Sequence, residues 1–194
     1  RAPMMVEPEA ATDVFATVTR TGTNSSATVT GVGFPFDMMI SKPRNNLGNT
    51  ALFDRMRGAL RVLLPNSTDS DISRAGTVTS FDQDGFSTAA DAENLVNANN
   101  YTYAYQSWKR AKGFFDICTH VGVSGSSQVI PHSLGVVPEM IWLKARSATG
   151  RWLVLHKDIT YALALQTDAA ETASIQINTP TSTSFTAVDN SVSN

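Results

Sequence analysis

The chain has 194 residues, 42% hydrophobic and 16% charged, with a formal net charge of −2 and one cysteine. That length can bury one large core or two small ones, and the weak charge offers no basic footprint for nucleic acid. A single cysteine excludes a disulfide scaffold, no apolar run is long enough to span a bilayer, and no signal-peptide pattern opens the sequence. Ser and Thr together number 41; Thr favours strands, and Ser, Asn and Gly favour turns. With little Lys and Glu to build helices, the expected class is all-β.

Residues 1–13, RAPMMVEPEAATD, mix Pro, Glu and Ala without a period and are expected to form an N-terminal arm or linker. A start at Arg1 rather than Met is expected of a processed product or of a segment of a longer polypeptide. From Val14 the pattern turns strand-like: FATVTRT (15–21) alternates, GTNSS makes a turn, and ATVTG (27–31) alternates again. Then comes FPFDMMISKPR (34–44), an acidic lead-in, an apolar run and a Lys-x-Arg exit. Asn46–Asn49 is a turn cluster, and Ala51–Phe53 and Leu60–Leu64 read as strands. Gly76–Phe81 and Phe86–Ala90 flank Asp82–Gly85, whose Asp-Gly predicts a hairpin. YTYAYQSW (101–108) places Tyr101, Tyr103 and Tyr105 on one face of a strand.

Much of this order is written twice. VVPEMIWLKAR (136–146) repeats the motif with a shift of 102 residues, putting Asp37 on Glu139, Met38 on Met140, Met39 on Ile141, Lys42 on Lys144 and Arg44 on Arg146. FDICTHV (115–121) followed by GVSGSSQVI (122–130) repeats the first strands at a shift of 100, Phe15 falling on Phe115 and Cys118 on Val18. Trp152–Leu155 and Tyr161–Leu165 read as the next strands, Asp54 falls on Asp158, and TSTSF (181–185) matches GTVTSF. The expected architecture is therefore two tandem antiparallel β-sandwich, jelly-roll-like units of about 100 residues, 14–113 and 114–194. The second stops before any counterpart of the Tyr-rich strand. A sandwich without that strand exposes an edge. The strand is expected from polypeptide beyond this sequence; the alternatives are another chain, by strand addition, and a second unit that is a trimmed sandwich.

The residues that could carry chemistry are scattered. His120, His132 and His156 lack metal-ligand spacing. Cys118 reads as a small core residue, with only His120 near enough to activate it. GVSGSS misses the spacing of a nucleophile elbow. Asp69, Asp71, Asp82 and Asp84 could be assembled into a calcium site, or with Glu93 into a pair of glycosidase acids, but a hairpin turn explains Asp82 and Asp84 more simply. Lys42, Arg44, Lys144 and Arg146, with Asp54 and Asp158, suggest a structural ion pair in each unit. Trp108, Trp142 and Trp152 are the aromatics a sugar-binding surface would use, although Trp142 sits in a continuous apolar run and is expected in a core. No catalytic, cofactor-binding or metal residue is assigned, and no enzyme activity or cofactor is expected.

PEMIWLKAR (138–146), LFDRMRG (52–58), LLPNSTDSD (63–71), TSFDQDGFST (79–88) and YTYAYQSWKR (101–110) leading into FFDICTHVG (114–122) carry a family likeness. Together they resemble a β-rich repeat of tailed-bacteriophage virion proteins, tail-fibre and appendage proteins above all, over residues 15–194. The resemblance implies localisation in a virion and a tail-fibre or appendage role in assembly or host-surface contact. The alternatives are a capsid decoration or head-fibre protein, and a carbohydrate-binding module. It further implies other virion proteins as partners and a homo-oligomer, a trimer; the tryptophans make a host-surface glycan a further candidate partner, and charge and hydropathy point to neither nucleic acid nor membrane.

Overall fold

A computed structural model describes residues 10–123, 126–170, 177–178 and 180–187. Among them the only helical element is a 3-10 turn at Ala11–Asp13, closed by the Asp13 carboxylate accepting the Ala10 amide. Everything else regular is strand. The chain divides into two compact units. One takes Val6–Leu64 and Ile72–Ala111, and the other takes Arg1–Met5, Pro65–Asp71 and Lys112–Asn194. The boundary near residue 111 lies close to the expected 113, but the loop 65–71 belongs with the second half of the sequence. The expected arm also ends early: residues 11–13 already make the turn that leads into the first strand, and residues 1–9 lie outside the described ones.

In the first unit, β1 (Phe15–Thr21), β3 (Met38–Pro43), β4 (Ala51–Asp54) and β9 (Thr102–Trp108) form one antiparallel sheet in the order β1-β9-β3-β4. A second sheet, β2-β8-β7, uses Ala27–Val29, Phe86–Thr88 and Val78–Phe81, and a short pair joins β5 (Arg61–Val62) to β6 (Ile72–Ser73). The two larger sheets enclose one core: Met39, Phe53, Tyr103 and Tyr105 come from the first, and Val29, Val78 and Phe86 from the second. Phe36, Phe86 and Tyr105 meet edge to face across it, the geometry that aligns ring edges with ring faces.

Alternation explains which residues enter that core. Tyr103 and Tyr105 share the inward face of β9 and are fully buried. Their hydroxyls would be costly there without partners, so they donate to the Asn94 and Val96 carbonyls, while Tyr103 also accepts the Ala98 amide. The loop carrying those carbonyls is held by Asp91, whose carboxylate accepts the Glu93, Val96 and Asn97 amides. The hairpin between β7 and β8 closes at Gly85, with Asp82 N–H donating to its carbonyl. Gly85 has φ +152, and a Cβ there would sit 1.8 Å from the Val29 carbonyl oxygen. Only glycine fits.

Among its described residues the second unit contains two three-stranded sheets. One is β11-β12-β13, from Met140–Leu143, Leu153–His156 and Leu163–Ala164, and the other is β10-β15-β14, from Gln128–Pro131, Ser184–Ala187 and Ile177–Asn178. Leu143, Leu153, Ala162 and Ile177 form their shared core, with Ile141, Leu155 and Phe185 against it.

The 102-residue shift reappears in the backbone. Met38 faces Asp54 across β3 and β4, and Met140 faces His156 across β11 and β12. Arg55 N–H donates to the Asp37 carbonyl, as Lys157 N–H does to that of Glu139. In both units a three-stranded sheet places its chain-last strand in the middle: β8 between β2 and β7, β15 between β10 and β14.

Several expected equivalences change. Residues 115–121 form no strand, because the strand that β1 pairs with in the first unit, β9, has no counterpart among the described residues. TSTSF contributes to β15, which occupies the place of β8 rather than of β7. The residue equivalent to Asp54 is His156, not Asp158. Residues 161–165 alternate as expected, but with Ala162 and Ala164 buried and Tyr161, Leu163 and Leu165 outward. β6 and β14, two residues each, are too short to leave a periodic trace in the sequence.

Candidate functional site

The acidic residues considered as ligands or catalysts are engaged by the fold. Asp82 accepts the hydroxyls of Ser80 and Ser87 at 2.7 and 2.9 Å. Asp84 accepts the amides of Gly31 and Gly33, and these N–H groups hold its carboxyl below the usual range. Asp82 closes the β7–β8 turn, and Asp84 ties that turn to the segment that follows β2. Asp69 accepts the Ser67 hydroxyl, and Glu93 lies 3.6 Å from Arg74. Among the described residues no three His, Cys, Asp or Glu side chains come together as a metal site, and no helix is long and apolar enough to cross a membrane.

His132 stacks on Phe185, and its ring nitrogens meet the Thr181 carbonyl and the Leu134 amide. His156 Nδ1 accepts the Asp158 amide and lies 3.5 Å from its carboxylate. His120 is half-buried, and desolvation lowers its pKa. Cys118 is half-buried in a segment without strand structure rather than in a strand core, and its thiol faces Asp116 at 3.9 Å. Within GVSGSS, the described Ser126 donates its amide to the Val123 carbonyl, a turn; residues 124–125 lie outside the described ones.

Each unit has an ion pair, though not the pairs that the repeated residues suggest. Asp54 is buried with Arg57, three residues on, and the same guanidinium donates to the Leu52 carbonyl. Lys42 instead reaches the Gly48 carbonyl. In the second unit Arg146 pairs at 3.5 Å with Asp71 of the 65–71 loop, whose amide also donates to the Arg146 carbonyl. Lys144 donates to the Ala145 carbonyl, and burial lowers its pKa. Lys157 holds Glu139 at 2.8 Å, keeping that carboxyl below the usual range.

The most distinctive surface is the outer face of β11-β12-β13. Trp142 is 40% exposed, contrary to the core position expected from its apolar run, whereas Trp152, meeting it edge to face at 6.4 Å, is 4% exposed. Alternation turns Met140 and Trp142 outward, because Ile141 and Leu143 take the inward side of β11. The Trp142 indole N–H points at the Met140 sulfur at 3.1 Å. Tyr161, Leu163 and Leu165 add further exposed apolar surface. Trp108, by contrast, is half-buried against Phe15. This arrangement can stack on a planar or apolar partner, and it offers a sheet edge.

These features define an all-β protein of small antiparallel sheets with an aromatic outer face. The family model that matches residues 10–194 carries the description "Domain of unknown function (DUF7483)", and the chain belongs to that family. No curated protein and no solved structure matches it.

Proposed function

We propose that this chain is a structural component of a bacteriophage virion, a tail-fibre or appendage protein that acts by assembly and surface contact rather than by catalysis. The observation that carries this reading is the reuse of one β-hairpin register, Met38 opposite Asp54 and Met140 opposite His156, within a sequence whose repeated residues serve packing and turns. The likeness of YTYAYQSWKR, TSFDQDGFST and PEMIWLKAR to repeats of phage appendages supports it. Partners are then other virion proteins and further copies of the chain, with a trimer expected from the resemblance. Gold-labelled antibody against the chain, applied to purified virions of the source phage, tests the assignment. Label on tail appendages is the expected result, label spread over the head transfers the protein to capsid decoration, and particles without label overturn the virion reading.

Host contact through a glycan is favoured by one specific observation, the exposed Trp142 indole on the outer face of β11. Stacking of a sugar ring on such an indole is an aromatic contact that needs little reorganisation. A glycan array on the chain, with Trp142→Ala as the control, checks it; no glycan bound above the Trp142→Ala background removes the glycan from the list of partners.

A further inference from the structure

The first unit shows what the second one lacks among the described residues. β9 runs between β1 and β3, with Trp108 opposite both Phe15 and Met38, and Tyr105 opposite both Val18 and Ser41. In the second unit β11 is the edge of its sheet among the described residues. The exposure of equivalent residues follows: Met38 is 9% exposed and Met140 is 53%. The segment 115–121 repeats the alternation of β1 without strand structure, and Val121 is 84% exposed. One missing neighbour accounts for both, since β9 is the strand that β1 and β3 share.

We propose that the β11 edge is an acceptor for a single extended strand of β9 chemistry: a peptide segment with bulky aromatic or apolar residues at alternate positions and small or polar residues between them. An edge offers a row of backbone N–H and C=O groups, and an extended strand is the partner that satisfies them in order. Strand addition of this kind takes its affinity from main-chain hydrogen bonds and its specificity from alternate side chains. The shared register fixes the alignment. The position of Trp108 falls opposite Met140, that of Ser107 opposite Ile141, that of Gln106 opposite Trp142, and that of Tyr105 opposite Leu143. The incoming aromatic at the Tyr105 position then lies on the Leu143 and Leu153 core, and the strand's other edge orders residues 115–121 as β1 is ordered by β9.

The probe is a fluorescent synthetic peptide of residues 101–110, YTYAYQSWKR, added to the full chain and followed by anisotropy and backbone hydrogen exchange. The expected result is saturable binding at least ten-fold tighter than that of a scrambled peptide of the same composition. Exchange should slow at 140–143 and 115–121 while β1 and β3 stay unchanged. The same peptide N-methylated at alternate amides should bind at least ten-fold more weakly, which separates ladder formation from simple apolar contact without altering the protein. Equal binding of the scrambled peptide overturns the proposal. So does exchange at 140–143 that is already as slow as in β3 in the chain alone, whether its own residues or, at raised concentration, a second copy fill the edge.

Discussion

The hydroxyls of Tyr103 and Tyr105 and the Asp54–Arg57 pair are buried polar groups of the first unit. Burial pushes the Tyr105 hydroxyl from 10.0 up to about 12 and raises that of Tyr103 as well. Desolvation disfavours the phenolate in the fold, so above pH 10 the unfolded chain releases protons that the folded chain keeps. The stability from these tyrosines is complete below pH 10 and is lost as pH rises toward 12 and beyond. Thermal melts from pH 8 to 12 should show that decline. Tyr105→Phe should flatten it while costing about 1 kcal/mol at neutral pH, through the hydrogen bond to the Val96 carbonyl. The two aspartates that look alike in sequence should behave differently. Asp54→Asn leaves the Arg57 guanidinium buried without its counter-charge and should cost about 3–5 kcal/mol. Asp158→Asn alters a side chain that is 72% exposed and should leave stability within about 0.5 kcal/mol in denaturant titrations.

At the scale of elements, strands with clean alternation and punctuated ends were legible. FATVTRT became β1 residue for residue, YTYAYQSW became β9 less its first residue, and DQDG closed the hairpin expected of it. The hairpin rests on one position. Gly85→Ala would drive a Cβ into the Val29 carbonyl at a φ that L side chains rarely adopt, costing on the order of 2 kcal/mol, visible as a lowered midpoint in chemical unfolding. FDICTHV forms no strand, for a physical reason. Its alternation is as good as that of FATVTRT, but a strand needs a hydrogen-bonding neighbour, and period-2 patterning does not say whether one is present. Trp142 and the Tyr161–Leu165 run mark the same limit. The alternation was readable, but which phase faces inward depends on the neighbouring sheet: there Ala162 and Ala164 pack inside while the larger residues remain outside. The candidate site was legible as a set of tryptophans and not as a surface.

Across the whole molecule, the sequence is not divided where its repeat divides. The loop 65–71 leaves the first unit between β5 and β6 and belongs with the second, where Thr68 accepts the Gly150 amide and Asp71 meets Arg146. No periodicity could reveal this, because the loop's partners lie about 80 residues away in a region with its own hydrophobic pattern. Asp71 is buried while Arg146 is half-exposed, so the pair should be worth about 1.5 kcal/mol as a charge-assisted hydrogen bond. In calorimetry Asp71→Asn should lower the transition of the second unit, and Asp54→Asn that of the first. A common shift of both transitions by either variant would mean that the units unfold together.

The place of β9 also sets an order of events during synthesis. Phe15 pairs with Trp108, and Met38 with the same residue, so the inner strand that joins β1 to β3 is the last of that unit to leave the ribosome. Until residues 102–108 emerge, β1 has no strand neighbour and β3 can pair only with β4, which leaves two sticky edges on the nascent chain. Closure over so long a stretch of sequence makes for slow folding. A ribosome paused before Thr102 would hold the chain in its most aggregation-prone state, and chaperone capture should be strongest there and fall once Trp108 has cleared the exit tunnel.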